Sequence, residues 1–287
     1  MEAEDTTGAA QVTPTVIRAS SMDWVPLAGV HLPGPDADTA LAVCHGFTHH
    51  TRHPSTRRVL TALAAHAPVV AFDMRGHGRS GGRSTVGDRE VLDLDAAVAW
   101  ARAAGYPRVV TVGFSLGAAV ALRQAAAGTA RPDAVVAVSP PARWYSRETV
   151  PMRRVHWLLE QPHGRLAARL LGVRLAGPWT TVPPSPVEVV GDIAPTPLLL
   201  VHFTGDPYFS SGHAWALAAA SGGRAQLWTE PGTGHGESGT DAALAERITR
   251  WARDAAGARP ADGSADRGST VRGHIPAERR GAGSEVG

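Results

Sequence analysis

The stretch Val109-Val110-Thr111-Val112-Gly113-Phe114-Ser115-Leu116-Gly117-Ala118-Ala119 decides how the rest of the chain is read. A β-branched apolar run ends in G-x-S-x-G, and an alanine-rich segment begins at once. The pattern passes from strand to helix with no room for a loop. So sharp a turn pushes one side chain, Ser115, out at the edge of a sheet. Glycines are needed on either side because a Cβ there would strike neighbouring backbone. The hydroxyl then stands at a helix N-terminus, where free N–H groups and the macrodipole favour developing negative charge. Ser115 is the candidate nucleophile.

Outward from this turn, short apolar runs alternate with helix-length segments. The runs 41–44, 68–74, 109–114, 134–138, 197–203 and 225–228 are rich in Val, Leu or Ala with little alternation, as expected of strands covered on both faces. Segments 54–66, 89–104, 116–127, 212–220 and 241–255 have helical spacing. The alternation predicts an α/β fold with a mostly parallel central sheet flanked by helices, spanning 15–256, and 16–18 and 30–32 add antiparallel edge strands. Residues 140–196 break the rhythm: they offer no strand, only two amphipathic stretches at 150–160 and 164–171. An insertion there, after a strand of a fold whose sites lie at strand C-termini, is read as a small helical lid. The ends, 1–14 and 257–287, are polar and small-residue rich, and are expected to be disordered.

Composition removes several chemistries. The 287 residues are 43% hydrophobic and 19% charged, an ordinary globular balance, and the formal net charge of +2 gives no reason to expect nucleic acid. Every basic residue is Arg, so no lysine can hold a phosphate loop, a Schiff base or a pyridoxal cofactor. The single cysteine, Cys44, lies within an apolar run and is read as a buried thiol. The acidic start lacks an apolar segment, and no run is long enough to span a bilayer. These features imply a cytoplasmic protein without stable membrane insertion; they say nothing of oligomeric state.

A serine hydroxyl needs a base, and the base needs an orienting partner. His235 follows the last predicted strand in a Gly-rich loop, where the chain order Ser, acid, His puts the base. Asp206 is the one carboxylate in the loop after the preceding strand, within Thr204-Gly205-Asp206-Pro207. The oxyanion hole needs two N–H donors: Leu116, next to the nucleophile, and Phe47 of His45-Gly46-Phe47, which ends the run 41–44.

These residues, together with Asp73-Met74-Arg75-Gly76-His77-Gly78-Arg79-Ser80-Gly81, occur in one order over roughly 40–251. In that respect the chain resembles the α/β-hydrolase superfamily, of the serine esterase, lysophospholipase-like or serine aminopeptidase-like kind. The resemblance is specific for the superfamily and for no substrate. Gly76-His77-Gly78-Arg79-Ser80-Gly81 also satisfies G-x-G-x-x-G, with Asp93 and Asp95 beyond it. A dinucleotide site would need a helix to start there, yet Gly82-Arg83-Ser84-Thr85 continues the loop, so it is read as structural, with Asp73 and Arg75 bracing it. His45, His49, His50 and His53 cluster without a carboxylate or Cys at ligand spacing, so neither metal nor cofactor is expected.

Trp144, Tyr145 and Trp157 of the lid are the candidate substrate-binding residues. From 143 to 174 seven arginines face only Glu148 and Glu160, an excess read mainly as a solvated face. The expected chemistry is hydrolysis of a carboxylic ester or related small acyl compound through an acyl-enzyme on Ser115. Acyl transfer, thioester hydrolysis, carbon–carbon bond hydrolysis and a non-catalytic ligand receptor on the same fold stay open.

Overall fold

The computed structural model describes residues 13–258. The ends expected to be disordered therefore lie almost wholly outside the described residues. Eight strands form one sheet: β1 (Thr15–Ser20), β2 (Pro26–Leu32), β3 (Thr39–Cys44), β4 (Val69–Phe72), β5 (Arg108–Phe114), β6 (Ala134–Val138), β7 (Leu198–Phe203) and β8 (Ala225–Glu230). Their spatial order is β1-β2-β4-β3-β5-β6-β7-β8. β1 and β2 pair antiparallel and add antiparallel to β4, whereas the six strands from β3 to β8 are mutually parallel.

Every residue of β3, β4, β6 and β7 is buried, which explains why these segments show no polar alternation. Successive residues of β3 serve opposite faces. Ala40, Ala42 and Cys44 join Leu94 and Val98 of α2 (Glu90–Ala103) and Leu122 of α3 (Leu116–Ala127). Leu41 and Val43 join Leu60 and Leu63 of α1 (Pro54–Ala64) and Ile248 of α9 (Ala242–Gly257) on the other face. α7 (Ser211–Ala220) lies with α2 and α3 through Leu217. Cys44 is buried, its thiol 3.2 Å from Met74 Sδ, and burial holds its pKa well above the usual thiol value.

Between β6 and β7 the chain forms α4 (Val150–Glu160), α5 (Pro162–Leu170), the four-residue α6 (Pro186–Val189) and a 3₁₀ turn at Val190–Ile193. The two longer helices match the amphipathic stretches read from sequence. The short pieces, and α8 (Gly236–Gly239) after β8, were not foreseen, because four residues are too few to show a period. Among the described residues, no helix is long and apolar enough to cross a membrane.

The topology explains where a site can form. β4 packs on one side of β3 and β5 on the other, so the connections leave β3 in opposite directions and open a crevice at the strand C-termini. The segments His45-Gly46-Phe47 and Ser115 emerge at that crevice. The turn after β5 is packed directly against neighbouring backbone. A Cβ on Gly113 would lie 2.2 Å from Gly117 O, and one on Gly117 would lie 2.2 Å from Cys44 O. Backbone cannot yield as a flexible side chain can. Gly117→Ala is therefore expected to destabilise the protein by about 3 kcal/mol, by forcing α3 away from β3. Urea unfolding checks this, and a stability within about 0.5 kcal/mol of wild type would refute it.

Candidate active site

Ser115 caps the N-terminus of α3 with φ 52° and ψ −114°, a conformation rarely held by residues bearing a Cβ. Its N–H donates to Val138 O at 2.9 Å, which ties the turn to the neighbouring strand. The strain presents the hydroxyl above the sheet instead of along it. His235 Nε2 lies 2.8 Å from Ser115 Oγ.

The same imidazole turns Nδ1 to Asp206, 2.8 Å from Oδ2 and 3.0 Å from Oδ1. With Nδ1 directed at a carboxylate, the ring proton sits there and Nε2 is left as an acceptor toward the hydroxyl. The Asp206 side chain is wholly covered. Burial works against its ionisation, but the bond with His235 and those from the Tyr208 and Phe209 N–H groups more than offset it, so its pKa lies below the usual carboxylate value. The three residues proposed from sequence thus meet from three different loops.

Of the two expected oxyanion donors, Leu116 is the first residue of α3, where a backbone N–H has no partner within the helix. Phe47 lies in the wall of the same crevice. The neighbouring Gly46 N–H is taken: it donates to Glu237 Oε1 at 2.8 Å. Glu237 was missed by sequence reading. It is buried, its Oε1 is 3.1 Å from His49 Nδ1, and its carbonyl accepts from Arg58 at 2.7 Å. Burial opposes its charge, while His49 and the Gly46 N–H outweigh that and lower its pKa. It joins the loop carrying His235 to the loop carrying Phe47.

Two aromatic residues were also missed. Tyr208 stacks on the His235 ring at 4.3 Å between centroids, and Phe209 tilts against it at 5.6 Å. Their position directly after Asp206-Pro207 was the available signal. Together they cover the imidazole, whose side chain is only 14% exposed.

The crevice over Ser115 is a cavity of about 400 Å³. Phe47, Leu116, Trp144 and Tyr208 line it. Trp144 is where sequence placed it; Tyr145 instead lines a neighbouring cavity, and Trp157 lines neither, with 48% of its surface exposed. Trp157 lies on α4 one residue beyond the buried His156, so the helical turn swings it outward.

The other histidines and the glycine-rich loop have structural surroundings. His49 stacks on His53 at 3.9 Å, and among the described residues no group of three or more His, Cys, Asp or Glu is arranged to hold a metal ion. The loop 76–81 wraps the protein's own carboxylate: Asp73 accepts from Thr51 and Arg79 N–H, and a Cβ on Gly78 would sit 2.0 Å from Asp73 Oδ2. Arg75 is clamped between Asp23 and Asp93, both at 2.7 Å. No helix begins until Glu90. A loop already closed on a carboxylate does not cradle a pyrophosphate.

A model of the family described as "Alpha/beta hydrolase family" matches residues 41–247. Among solved structures, the chain is similar to an esterase from Pyrococcus furiosus, with 21% identity, 86% of this chain and 91% of that one covered, and a TM-score of 0.61. It is also similar to an esterase from a Rhodococcus species (22% identity, 84% and 98% covered, TM-score 0.59). A serine hydrolase from Xanthomonas campestris, described as lacking a lid, is similar at 21% identity (84% and 93% covered, TM-score 0.55). No curated protein matches the chain.

Proposed function

The chain belongs to the alpha/beta hydrolase family, and from that premise we propose that it is a serine hydrolase cleaving carboxylic esters through an acyl-enzyme on Ser115. The observation that carries the reading is the unbroken relay from Ser115 Oγ to His235 Nε2, 2.8 Å, and from His235 Nδ1 to Asp206, 2.8 Å. Esterases among the similar structures support the choice of ester.

His235 takes the Ser115 proton as Oγ attacks the carbonyl carbon. The Phe47 and Leu116 N–H groups hold the resulting oxyanion. His235 then returns the proton to the leaving alcohol, and the acyl group stays on Ser115. In the second half His235 deprotonates water, which attacks the acyl carbon and releases the acid. Asp206 holds the imidazole in the required tautomer and stabilises its cation. Residues 140–196 act as the lid of this site, and Tyr208 and Phe209 keep water from the imidazole edge.

An active-site label tests this reading directly. A fluorophosphonate is expected to add once to the native protein, on the peptide carrying Ser115, and to abolish hydrolysis of p-nitrophenyl acetate. Labelling elsewhere, or full activity after labelling, would overturn it.

A further inference from the structure

A second cavity lies beside the one over Ser115, under the segment 140–196. Its volume is about 520 Å³, and it shares the wall residues Val86, Trp144, His156 and Leu159 with the first. It contains neither Ser115 nor His235. The two compartments are thus neighbours across one side-chain wall.

The walls of the second cavity are aromatic and fixed. Trp144 and Trp179 lie 5.6 Å apart, and Tyr145 meets Trp179 edge-on at 6.3 Å. Trp144 Nε1 donates to Pro183 O at 2.9 Å and Trp179 Nε1 to Thr85 O at 2.6 Å, so both indoles are held by their polar ends and offer their rings to an occupant. The charged groups of the lining are engaged by the protein itself. Glu160 is bonded to Arg147 and His156, and Arg165 donates to the carbonyls of Leu175 and Ala176. Walls built on three aromatic rings favour an aromatic occupant.

One buried polar atom of the lining has no partner among the described residues. His156 is 5% exposed, and its Nδ1 is 2.8 Å from Glu160 Oε1. With the ring proton on that side, Nε2 is an acceptor. It is buried and has no hydrogen-bond partner among the described residues. Buried polar groups in proteins are mostly paired. Five other buried side-chain atoms among the described residues also lack a partner, but His156 Nε2 alone belongs to a residue lining these cavities, which marks it as a place for a ligand's donor.

We infer that this cavity is a recognition subsite for an uncharged aromatic group bearing a hydroxyl, with His156 Nε2 accepting from that hydroxyl. The inference rests on the esterase reading only in making this group the distal arm of the ester whose carbonyl reaches Ser115.

Calorimetric titration with 4-hydroxybiphenyl and with biphenyl tests the subsite without any reaction. The wild type is expected to bind 4-hydroxybiphenyl at least ten-fold more tightly. His156→Phe should abolish that preference, and Ala176→Leu, which fills the cavity, should weaken both ligands about ten-fold; circular dichroism verifies that each variant is folded. Equal affinity for the two ligands, or affinity unchanged by Ala176→Leu, overturns the subsite. In parallel, kcat/KM is compared for p-nitrophenyl acetate, p-nitrophenyl 4-(4-hydroxyphenyl)butanoate and 4-(4-hydroxyphenyl)butyl acetate. A preference of at least ten-fold for one hydroxyphenyl ester is expected, and its reduction in His156→Phe links the two compartments. Acetate hydrolysis without 4-hydroxybiphenyl binding removes the subsite and leaves the esterase. Binding without hydrolysis of any ester leaves the subsite and removes the esterase.

Discussion

Ser115→Ala is expected to lower kcat/KM for p-nitrophenyl acetate by about 10⁴-fold or more while leaving the protein folded. Both residues carry a Cβ, so alanine meets the same backbone strain at φ 52° that serine already accepts. The lost hydrogen bond is the one to His235, an imidazole that is still held by Asp206 and stacked by Tyr208. Stability should therefore move by no more than about 0.5 kcal/mol. Asp206→Asn makes the complementary case. An amide can still accept from the Tyr208 and Phe209 N–H groups, but it no longer fixes the His235 proton on Nδ1, and activity should fall by about 10³- to 10⁴-fold. Steady-state kinetics with urea unfolding separates the two effects. A Ser115→Ala enzyme that keeps a tenth of the activity would remove Ser115 from the chemistry.

The second large effect is on stability and is set by His45. This histidine is buried, with Nδ1 2.8 Å from Gly46 O and Nε2 accepting from Met74 N–H at 3.0 Å. A backbone donor aimed at Nε2 requires that nitrogen to be unprotonated, so only the neutral ring fits. Burial, with the nearby His77, lowers its pKa from 6.5 to about 3. Below pH 6.5 the unfolded chain binds a proton that the native His45 refuses, so stability falls with acidification until about pH 3, by up to about 1.4 kcal/mol per pH unit. Burial lowers the pKa of His202 and His213 as well, with the same sign. Asp206 and Glu237 enter later. Their pKa values are depressed, so their contribution is complete above the unfolded values of 3.8 and 4.5 and is lost as the pH falls through the native ones. Urea midpoints are thus expected to decline from pH 6.5 to 5 on account of the histidines, offset in part by Asp93, whose pKa burial raises to about 6 so that its protonation below that pH favours the native state. In His45→Gln, whose amide can serve both backbone groups, that slope should be smaller by about 1.4 kcal/mol per pH unit. An identical slope in wild type and variant would show that His45 is not the group responsible.

Much of the site was readable because its parts are local. The Gly113–Gly117 turn is dictated by contacts between residues a few positions apart and by the strand packed beside them. Asp206 and His235 could be singled out because each follows an apolar run at the end where this architecture gathers its loops. The same reasoning separated the loop at 76–81 from a dinucleotide site, since a fingerprint without its helix lacks the N–H groups that bind phosphate.

Apolar runs, turn glycines and chain order determined by themselves that this protein has a mostly parallel sheet with Ser115, Asp206 and His235 at one edge, because periodicity and turn chemistry act between near neighbours. Only the tertiary structure decided what surrounds them. Gly46 and Glu237 are bonded across 191 positions, Tyr208 covers the imidazole, Trp157 turns outward while Trp144 turns in, and His156 stands between two cavities. Those relations depend on how loops from separate strands pack over the sheet, and side chains far apart in sequence carry no local pattern that announces their contact.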